Sequence, residues 1–201
     1  MDVVIKLSDD QIQWCWSHAR AIVELYDGHG SKGSGMYSHN KVGSNVVGVK
    51  GELVTALYLE EEVKNLNDSR VIRYYEDIKR SANHPGDVGL ELSNKLCLPI
   101  EVKGLRYHQW DKFKRCIPPR QLKKYVNKNA IVVWTVADTQ GDNKSEVIIK
   151  GWNYAKEVQE QGIYRKTICD NIWLEHDDAM HPPSTLLAAL QFHNRKFSQI
   201  I

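Results

Sequence analysis

The sequence predicts an α/β fold in which helices flank a mixed central β-sheet. Three observations lead to this fold class: an apolar, β-branched run at 130–137 that is typical of a buried strand, a second such run at 147–152, and helical periodicity on either side of them. Strands that alternate with helices are typical of α/β proteins. At 201 residues the chain is long enough to bury a substantial core. We therefore expect a single domain over 1–201, with its core at about 46–160.

The N-terminal part of the chain predicts two helices separated by a long loop. Ser8 and Gln11 have the spacing of a capping box, and apolar residues then recur at helical spacing, so that a helix is expected over 8–27. The glycine-rich segment 27–45 predicts a mobile loop, because loops of this length are uncommon in compact domains unless they are functional or disordered. Residues 48–59 again show helical spacing.

A β-hairpin is predicted after the second helix. Alternating apolar residues at 88–92, a Ser-Asn turn and a more continuously apolar run at 96–102 form its two strands. Asp87 begins the first strand and Glu101 lies near the end of its antiparallel partner, so both carboxylates are expected at one end of the hairpin. Lys103 emerges on the same face as Glu101, because side chains alternate along a strand.

The C-terminal half predicts two further helices and a terminal extension. Pro118 and Pro119 precede a helix predicted over 120–126, and proline is favoured near the first turn of a helix. Residues 154–159 read as a short helix after the second apolar run. Residues 170–201 are expected to form a C-terminal helical extension.

The expected cluster of Asp87, Glu101 and Lys103 has the chemistry of a metal-dependent phosphodiesterase. Carboxylate oxygens are hard ligands that suit Mg²⁺ or Mn²⁺. A neighbouring lysine can orient or deprotonate a water beside the metal. The alternative is that Glu-x-Lys is an ordinary exposed pair on a strand.

These three residues and the hairpin that carries them resemble the motif of the PD-(D/E)XK nuclease superfamily. The resemblance implies a restriction-endonuclease-like core, with one helix before the hairpin and a crossover helix after it. It also implies that Asp87, Glu101, the Val102 carbonyl and Glu52 hold Mg²⁺, for which Mn²⁺ can substitute, and that Lys103 positions the attacking water. For Glu52 the alternative is a first-turn glutamate that stabilises the helix dipole.

A second pattern lies on the helix predicted over 120–126. Gln121 and Tyr125 are four residues apart and resemble the Gln-x-x-x-Tyr feature of RecB-type, Cas4-type and phage exonucleases. The resemblance implies that Gln121 approaches the metal-bound phosphate and that Tyr125 supports it; the alternative is a structural pair on one helix face. The four cysteines are scattered and lack the clustering that Cas4-type relatives use, so no iron–sulfur cluster is expected.

Basic residues are concentrated between the predicted catalytic strand and the end of the following helix. The net charge of +2 does not by itself indicate a nucleic-acid partner, but this segment is basic and interleaved with aromatic residues such as Trp110 and Phe113. We expect it to contact DNA; the alternative is a solvated face with both aromatic side chains packed inward. The expected DNA-binding residues are Arg106, Lys112, Lys114, Arg115, Arg120, Lys123, Lys124 and Tyr125.

The sequence predicts a cytoplasmic protein with no membrane partner. Its apolar segments are all shorter than the roughly 20 residues that a helix needs to span a bilayer. The first residues lack the pattern of a signal peptide.

The expected function is Mg²⁺-dependent hydrolysis of DNA phosphodiester bonds, by an endonuclease or an exonuclease that processes DNA. The first alternative is a sequence-specific type II restriction endonuclease, which acts through paired subunits and reads base edges in the major groove. DNA is therefore one expected partner, and a second copy of the chain in a homodimer is the other. The second alternative is a catalytically silent DNA-binding module on a nuclease fold, and the intact Asp87, Glu101 and Lys103 argue against it.

Overall fold

The structure, a computed structural model, describes residues 1–27, 41–79, 85–113, 115–166, 170–174 and 179–198. The strands in these ranges are β1 (Val3–Lys6), β2 (Ser69–Ile72), β3 (Gly89–Leu92), β4 (Lys95–Leu96), β5 (Ile100–Leu105), β6 (Arg115–Ile117), β7 (Ile131–Ala137), β8 (Glu146–Tyr154), β9 (Ile163–Lys166) and β10 (Asp170–Leu174). The helices are α1 (Asp9–Asp27), α2 (Lys41–Val63), α3 (Tyr107–Phe113), α4 (Pro119–Asn127), α5 (Ala155–Gln161) and α6 (Leu186–Ser198). None of the helices in the described ranges has the length and apolar character needed to cross a membrane.

The centre of the fold is a mixed four-stranded sheet in the order β1-β8-β7-β5. β1 and β7 each run antiparallel to β8, whereas β5 runs parallel to β7, from Ile100 opposite Ile131 to Leu105 opposite Val136. A parallel pair needs a crossover connection, and the connection here contains α4. The protein is therefore mixed α/β, as the sequence predicts.

Both faces of the central sheet are covered, because β7 is buried along its whole length. Alternate residues of β7 enter two different core clusters. Val133 and Ala137 join the cluster built with α1 and α2, whereas Val132 and Trp134 join the cluster that includes residues of α4 and α5. Burial on both sides explains why this run does not alternate and is apolar except at the buried Thr135.

Helix α2 is longer than the sequence predicts. It begins at Lys41 rather than at residue 48, so the last residues of the loop predicted at 27–45 are helical. The physical reason is burial: Val46 is fully buried and extends the apolar face of the helix toward its N-terminus. The remainder of the predicted loop, 28–40, lies outside the described residues.

The predicted hairpin forms, but its second strand is broken. Ser93 and Asn94 turn the chain with positive φ angles of 51° and 59°, and β3 pairs with β4. Pro99 then interrupts the predicted strand, because proline has no N–H to donate to a ladder. The chain resumes as β5 in the central sheet, while β2, β3 and β4 form a separate sheet. A bridge between Val88 and Ile100 links the two sheets.

The C-terminal extension predicted over 170–201 is wrong at its start, where the structure has a strand. β10 lies between β6 and β9 in a third sheet. Its backbone groups are satisfied by partner strands on both sides, and Trp173 and Leu174 are buried. The α-helical part of the extension is α6, which begins at Leu186; residues 199–201 lie outside the described ranges.

Helix α1 begins with the capping box that the sequence predicts. The Ser8 N–H donates to Gln11 Oε1 at 2.9 Å, and the Gln11 N–H donates to Ser8 Oγ at 3.2 Å. These two bonds satisfy backbone donors that an uncapped helix would leave without partners. The helix packs against α2 and so supports the element that carries Glu52.

Gly104 sets the distance between α2 and β5. A Cβ atom at Gly104 would lie 2.7 Å from the carbonyl oxygen of Val47 in α2, so the helix backbone would have to move. We expect Gly104→Ala to lower the free energy of unfolding by about 1–3 kcal/mol, as overpacking does. Urea unfolding measures this change.

Gly48→Ala is the matched control for this prediction, because a Cβ atom at Gly48 meets nothing within 4 Å. Alanine in a helix interior is expected to raise the free energy of unfolding by up to about 1 kcal/mol. Effects of the same sign and size at the two positions would contradict the close packing described for Gly104.

Candidate active site

Strand β5 presents Glu101 and Lys103 on one face, because side chains two residues apart point the same way. Val102, between them, is buried in the core cluster that includes α2. β5 lies at the edge of the central sheet, so one side of its backbone is available to groups from outside the sheet. The sheet edge is therefore where a site can be assembled.

Asp87 occupies this edge and is fixed there by backbone hydrogen bonds. Its N–H donates to the Ile100 carbonyl at 2.8 Å, and its Oδ2 accepts the Val102 N–H at 2.8 Å. The N–H and C=O of one strand residue point to the same side, so the Val102 carbonyl faces the same edge as Asp87. The carboxylates of Asp87 and Glu101 and the carbonyl of Val102 therefore all lie at β5.

Glu101 is a buried carboxylate, only 6% exposed. Burial raises the pKa of Glu101, and the negative charge of Asp87 raises it further, while Lys128 and Lys103 oppose the shift. Lys128 lies with its Nζ 3.4 Å from Glu101 Oε1, and the buried Tyr125, whose pKa is raised by burial and by the nearby Glu101 charge, lies on the same side. Two groups of the α4 region therefore lie close to Glu101.

Lys103 is half-buried and lies over the ring of Tyr125, with 5.3 Å between its Nζ and the ring centroid. Burial lowers the pKa of Lys103, against the opposing effects of Asp87, Glu101 and Glu52. A lysine with a lowered pKa releases its proton more readily than an exposed lysine. This environment suits a group that orients water or exchanges a proton with it.

Glu52 reaches the site from α2. It is buried, and its charge acts on both Lys103 and Tyr125, which places its carboxylate near them. The alternative of a first-turn glutamate is wrong, because α2 begins at Lys41 and the helix dipole acts mainly within the first turn.

Gln121 lies one turn before Tyr125 on α4. Residues four apart share a helix face, so Gln121 is on the side of the helix that carries Tyr125 toward Glu101. Its side chain is partly exposed, whereas Tyr125 is buried. The helix therefore places Gln121 at the outer margin of the cluster.

Lys128 is the site residue that the sequence analysis missed. It follows α4 and completes a series with Gln121 and Tyr125 at intervals of four and three residues, which is the spacing of one helix face. That spacing is the signal that could have identified it. Its contact with Glu101 depends on how α4 packs against the sheet, which spacing alone does not give.

The described residues contain no group of three or more His, Cys, Asp or Glu side chains already arranged to hold a metal ion. The donor set nevertheless fits Mg²⁺ or Mn²⁺: Asp87, Glu101 and the Val102 carbonyl offer hard oxygen atoms at one edge. The raised pKa of Glu101 indicates that its negative charge is incompletely compensated, which a divalent cation would correct.

The predicted DNA-binding residues divide into exposed and buried groups. Arg115 is fully buried and donates to Asn153 Oδ1 at 3.2 Å, and Tyr125 is 5% exposed, so the prediction of surface contacts with DNA is wrong for both. Trp110 is also buried and packs inward rather than offering its face to a base. Lys114 lies outside the described residues. The residues that remain accessible are Arg106, in part, and Lys112, Arg120, Lys123 and Lys124.

Glu101→Gln is expected to make the protein more stable than the wild type at neutral pH and above. Because the folded-state pKa of Glu101 is raised above its ordinary value of 4.5, the wild type loses stability as the pH rises from that value through the folded-state pKa. Glutamine resembles the protonated carboxyl, so the variant does not lose stability in this way. The unfolding free energy of Glu101→Gln is therefore expected to exceed that of the wild type by an amount that grows with pH and then levels off. Urea unfolding at a series of pH values measures it.

The control for this prediction is Glu61→Gln, which makes the same chemical change on a side chain that is 67% exposed. Its effect is expected to stay within about 0.5 kcal/mol across the series. A Glu101→Gln difference that is flat, or that falls as the pH rises, would show that the carboxylate is not destabilised by its surroundings.

No protein-family model, curated protein or solved structure matches the chain. The assignment of a function therefore rests on the residues themselves, on their burial and on the contacts they make.

Proposed function

We propose that the protein is a Mg²⁺-dependent deoxyribonuclease with a restriction-endonuclease-like core. The observation that carries the proposal is the placement of Asp87, Glu101 and Lys103 together at the edge strand of the central sheet, with Val102 donating to Asp87. Two carboxylates at one edge can hold a divalent metal ion, and a lysine beside them can stabilise the charge that develops as a phosphodiester is cut.

The order of elements supports the same proposal. The chain runs from α2 through β3 and β5 to α4 and on to β7 and β8, with β5 and β7 parallel. The resemblance to PD-(D/E)XK nucleases implies this order of helix, hairpin, crossover helix and further strands. The broken hairpin does not disturb it, because the bridge from Val88 to Ile100 still brings Asp87 to β5.

Each residue of the site has a role that its surroundings favour. Bound Mg²⁺ or Mn²⁺ would supply Lewis-acid activation of the phosphate, held by Asp87, Glu101 and the Val102 carbonyl, with Glu52 nearby. Lys103 orients the attacking water and stabilises the developing negative charge, a task that its half-buried position strengthens. As the water oxygen bonds to phosphorus, the opposite P–O bond breaks; the attacking water releases one proton to the solvent and the leaving oxygen takes one up, while Lys103 keeps its positive charge throughout.

Helix α4 contributes one face to the cluster around Glu101 and another face to the proposed DNA-binding surface. Its buried face carries Tyr125, whose pKa is raised by burial and by the nearby Glu101 charge, and Gln121 at the margin can donate to a phosphate oxygen. Its outer face exposes Arg120, Lys123 and Lys124, which can neutralise phosphates of the strand being cut. DNA is therefore the proposed partner, positioned by its backbone rather than by base contacts.

Lys103→Met is expected to lower the rate of metal-dependent cleavage at least about 100-fold, since it removes a charge that acts in the transition state. The assay incubates wild type and variant with supercoiled, linear and single-stranded DNA and with RNA, each in Mg²⁺, Mn²⁺ or EDTA, and resolves the products on gels. Lys64→Met, a lysine that pairs with Glu61 on the surface, is the control that should cut normally.

The products also separate the candidate activities. Discrete plasmid fragments indicate a restriction endonuclease, whereas end-trimming or a smear indicates DNA processing. A folded wild type that binds DNA but cuts no substrate in either metal would overturn the nuclease proposal and leave a binding module. Equal cutting by Lys103→Met and wild type would remove Lys103 from the mechanism.

The double variant Lys123→Ala/Lys124→Ala is expected to bind DNA more weakly and with a shallower dependence on salt. Each lost phosphate contact lowers the slope of log K against log salt concentration by about 0.9 for duplex DNA. Fluorescence anisotropy in EDTA measures binding without cleavage. Lys6→Ala, on β1 at the opposite edge of the sheet, is the control, and an unchanged slope in the double variant would show that α4 does not contact the phosphates.

A further inference from the structure

Lys128 is a second cation at the candidate active site. Its Nζ lies 3.4 Å from Glu101 Oε1, at a carboxylate that the proposed function assigns to a divalent metal ion. A lysine ammonium and a metal ion seek the same oxygen lone pairs and carry the same sign of charge. Both cannot be accommodated at that oxygen without electrostatic cost.

The backbone around Lys128 is held in place. Its N–H donates to the Lys124 carbonyl at 3.2 Å as the C-cap of α4, and Asn129 then reverses the chain with a φ of 52°. The Ala130 N–H donates to the Tyr125 carbonyl at 2.9 Å, which ties the end of the helix to the start of β7. The backbone therefore places the Lys128 ammonium near Glu101, while the Lys128 side chain can still change its conformation.

The two partners differ in their access to water. The Lys128 side chain is 30% exposed, whereas the Glu101 side chain is 8% exposed. Lys128 can withdraw its ammonium toward solvent at little desolvation cost, but Glu101 has to keep some positive partner because it stays buried. Lys103 is less able to move its ammonium toward solvent, because it packs over the Tyr125 ring.

From this geometry we infer that Lys128 is an internal counter-ion of Glu101 that a divalent cation displaces when it binds. The inference rests on the proposed function, and it describes regulation of the same site. In the absence of metal, Lys128 partly compensates the charge of Glu101 and keeps the two carboxylates of the site compatible with folding. Metal binding opens this ion pair, so Lys128 weakens metal affinity and raises the metal concentration that the enzyme needs.

The test is direct Mn²⁺ binding to the full chain, measured by electron paramagnetic resonance of free Mn²⁺ without any substrate. Lys128→Met is expected to bind Mn²⁺ about tenfold more tightly than the wild type, because the competing charge is gone. Lys128→Arg keeps the charge and is expected to stay close to wild type. Lys156→Met is the matched control: it removes a lysine that is 72% exposed and pairs with Glu160 at 3.6 Å on the neighbouring α5, and it should leave the affinity unchanged.

The outcomes separate this inference from the proposed function. Mn²⁺ binding that is unchanged or weaker in folded Lys128→Met, while Asp87→Asn abolishes binding, would overturn the counter-ion role and leave the metal site standing. Mn²⁺ affinity that is equal in the wild type and Asp87→Asn would refute the metal site and the inference with it. Tighter binding in both Lys128→Met and Lys156→Met would show a general charge effect and would also overturn the inference.

Discussion

Charge compensation at the edge of β5 is the constraint on which the candidate site depends. Glu101 is buried beside Asp87, and a buried carboxylate is tolerated only when nearby groups offset its lost hydration. The offset comes from Lys103 on the same strand and from Lys128 after α4. Such an arrangement contributes little to stability in itself, and its value lies in the chemistry that strongly perturbed groups can perform.

The framework that imposes this arrangement is ordinary packing around the central sheet. β7 is covered on both faces and fixes β5 beside it in parallel, so residues 101 and 103 have a rigid support. Gly104 allows α2 to approach the same strand, and α2 brings Glu52. Helix α4 packs on the other side of the sheet through Leu122 and Tyr125. Rigid elements on both sides hold the side chains of the site in their relative positions.

Much of the fold and part of the site could be predicted from the sequence, since periodicity and alternation report local structure directly. The helix with its Ser8 cap, the strand over β7 and the pairing of Asp87 with the strand of Glu101 all follow from such local signals. Tertiary relations were harder to predict. Arg115 looks like a surface cation in sequence but is buried against Asn153, and Lys128 gains its role only from the packing of α4. Burial of a charge is decided by partners that are remote in sequence.

The most direct test of a metal site at the edge of β5 is an anomalous difference map from a crystal of the protein grown with Mn²⁺. If the edge of β5 binds a divalent cation, a peak is expected there, with oxygen atoms of Asp87 and Glu101 and the Val102 carbonyl at roughly 2.0–2.4 Å, the range of hard-ligand distances for ions of this size. A well-ordered site with no peak at saturating Mn²⁺ and with Lys128 still paired to Glu101 would contradict metal binding there. The cluster would then be a buried ion-pair network without a metal.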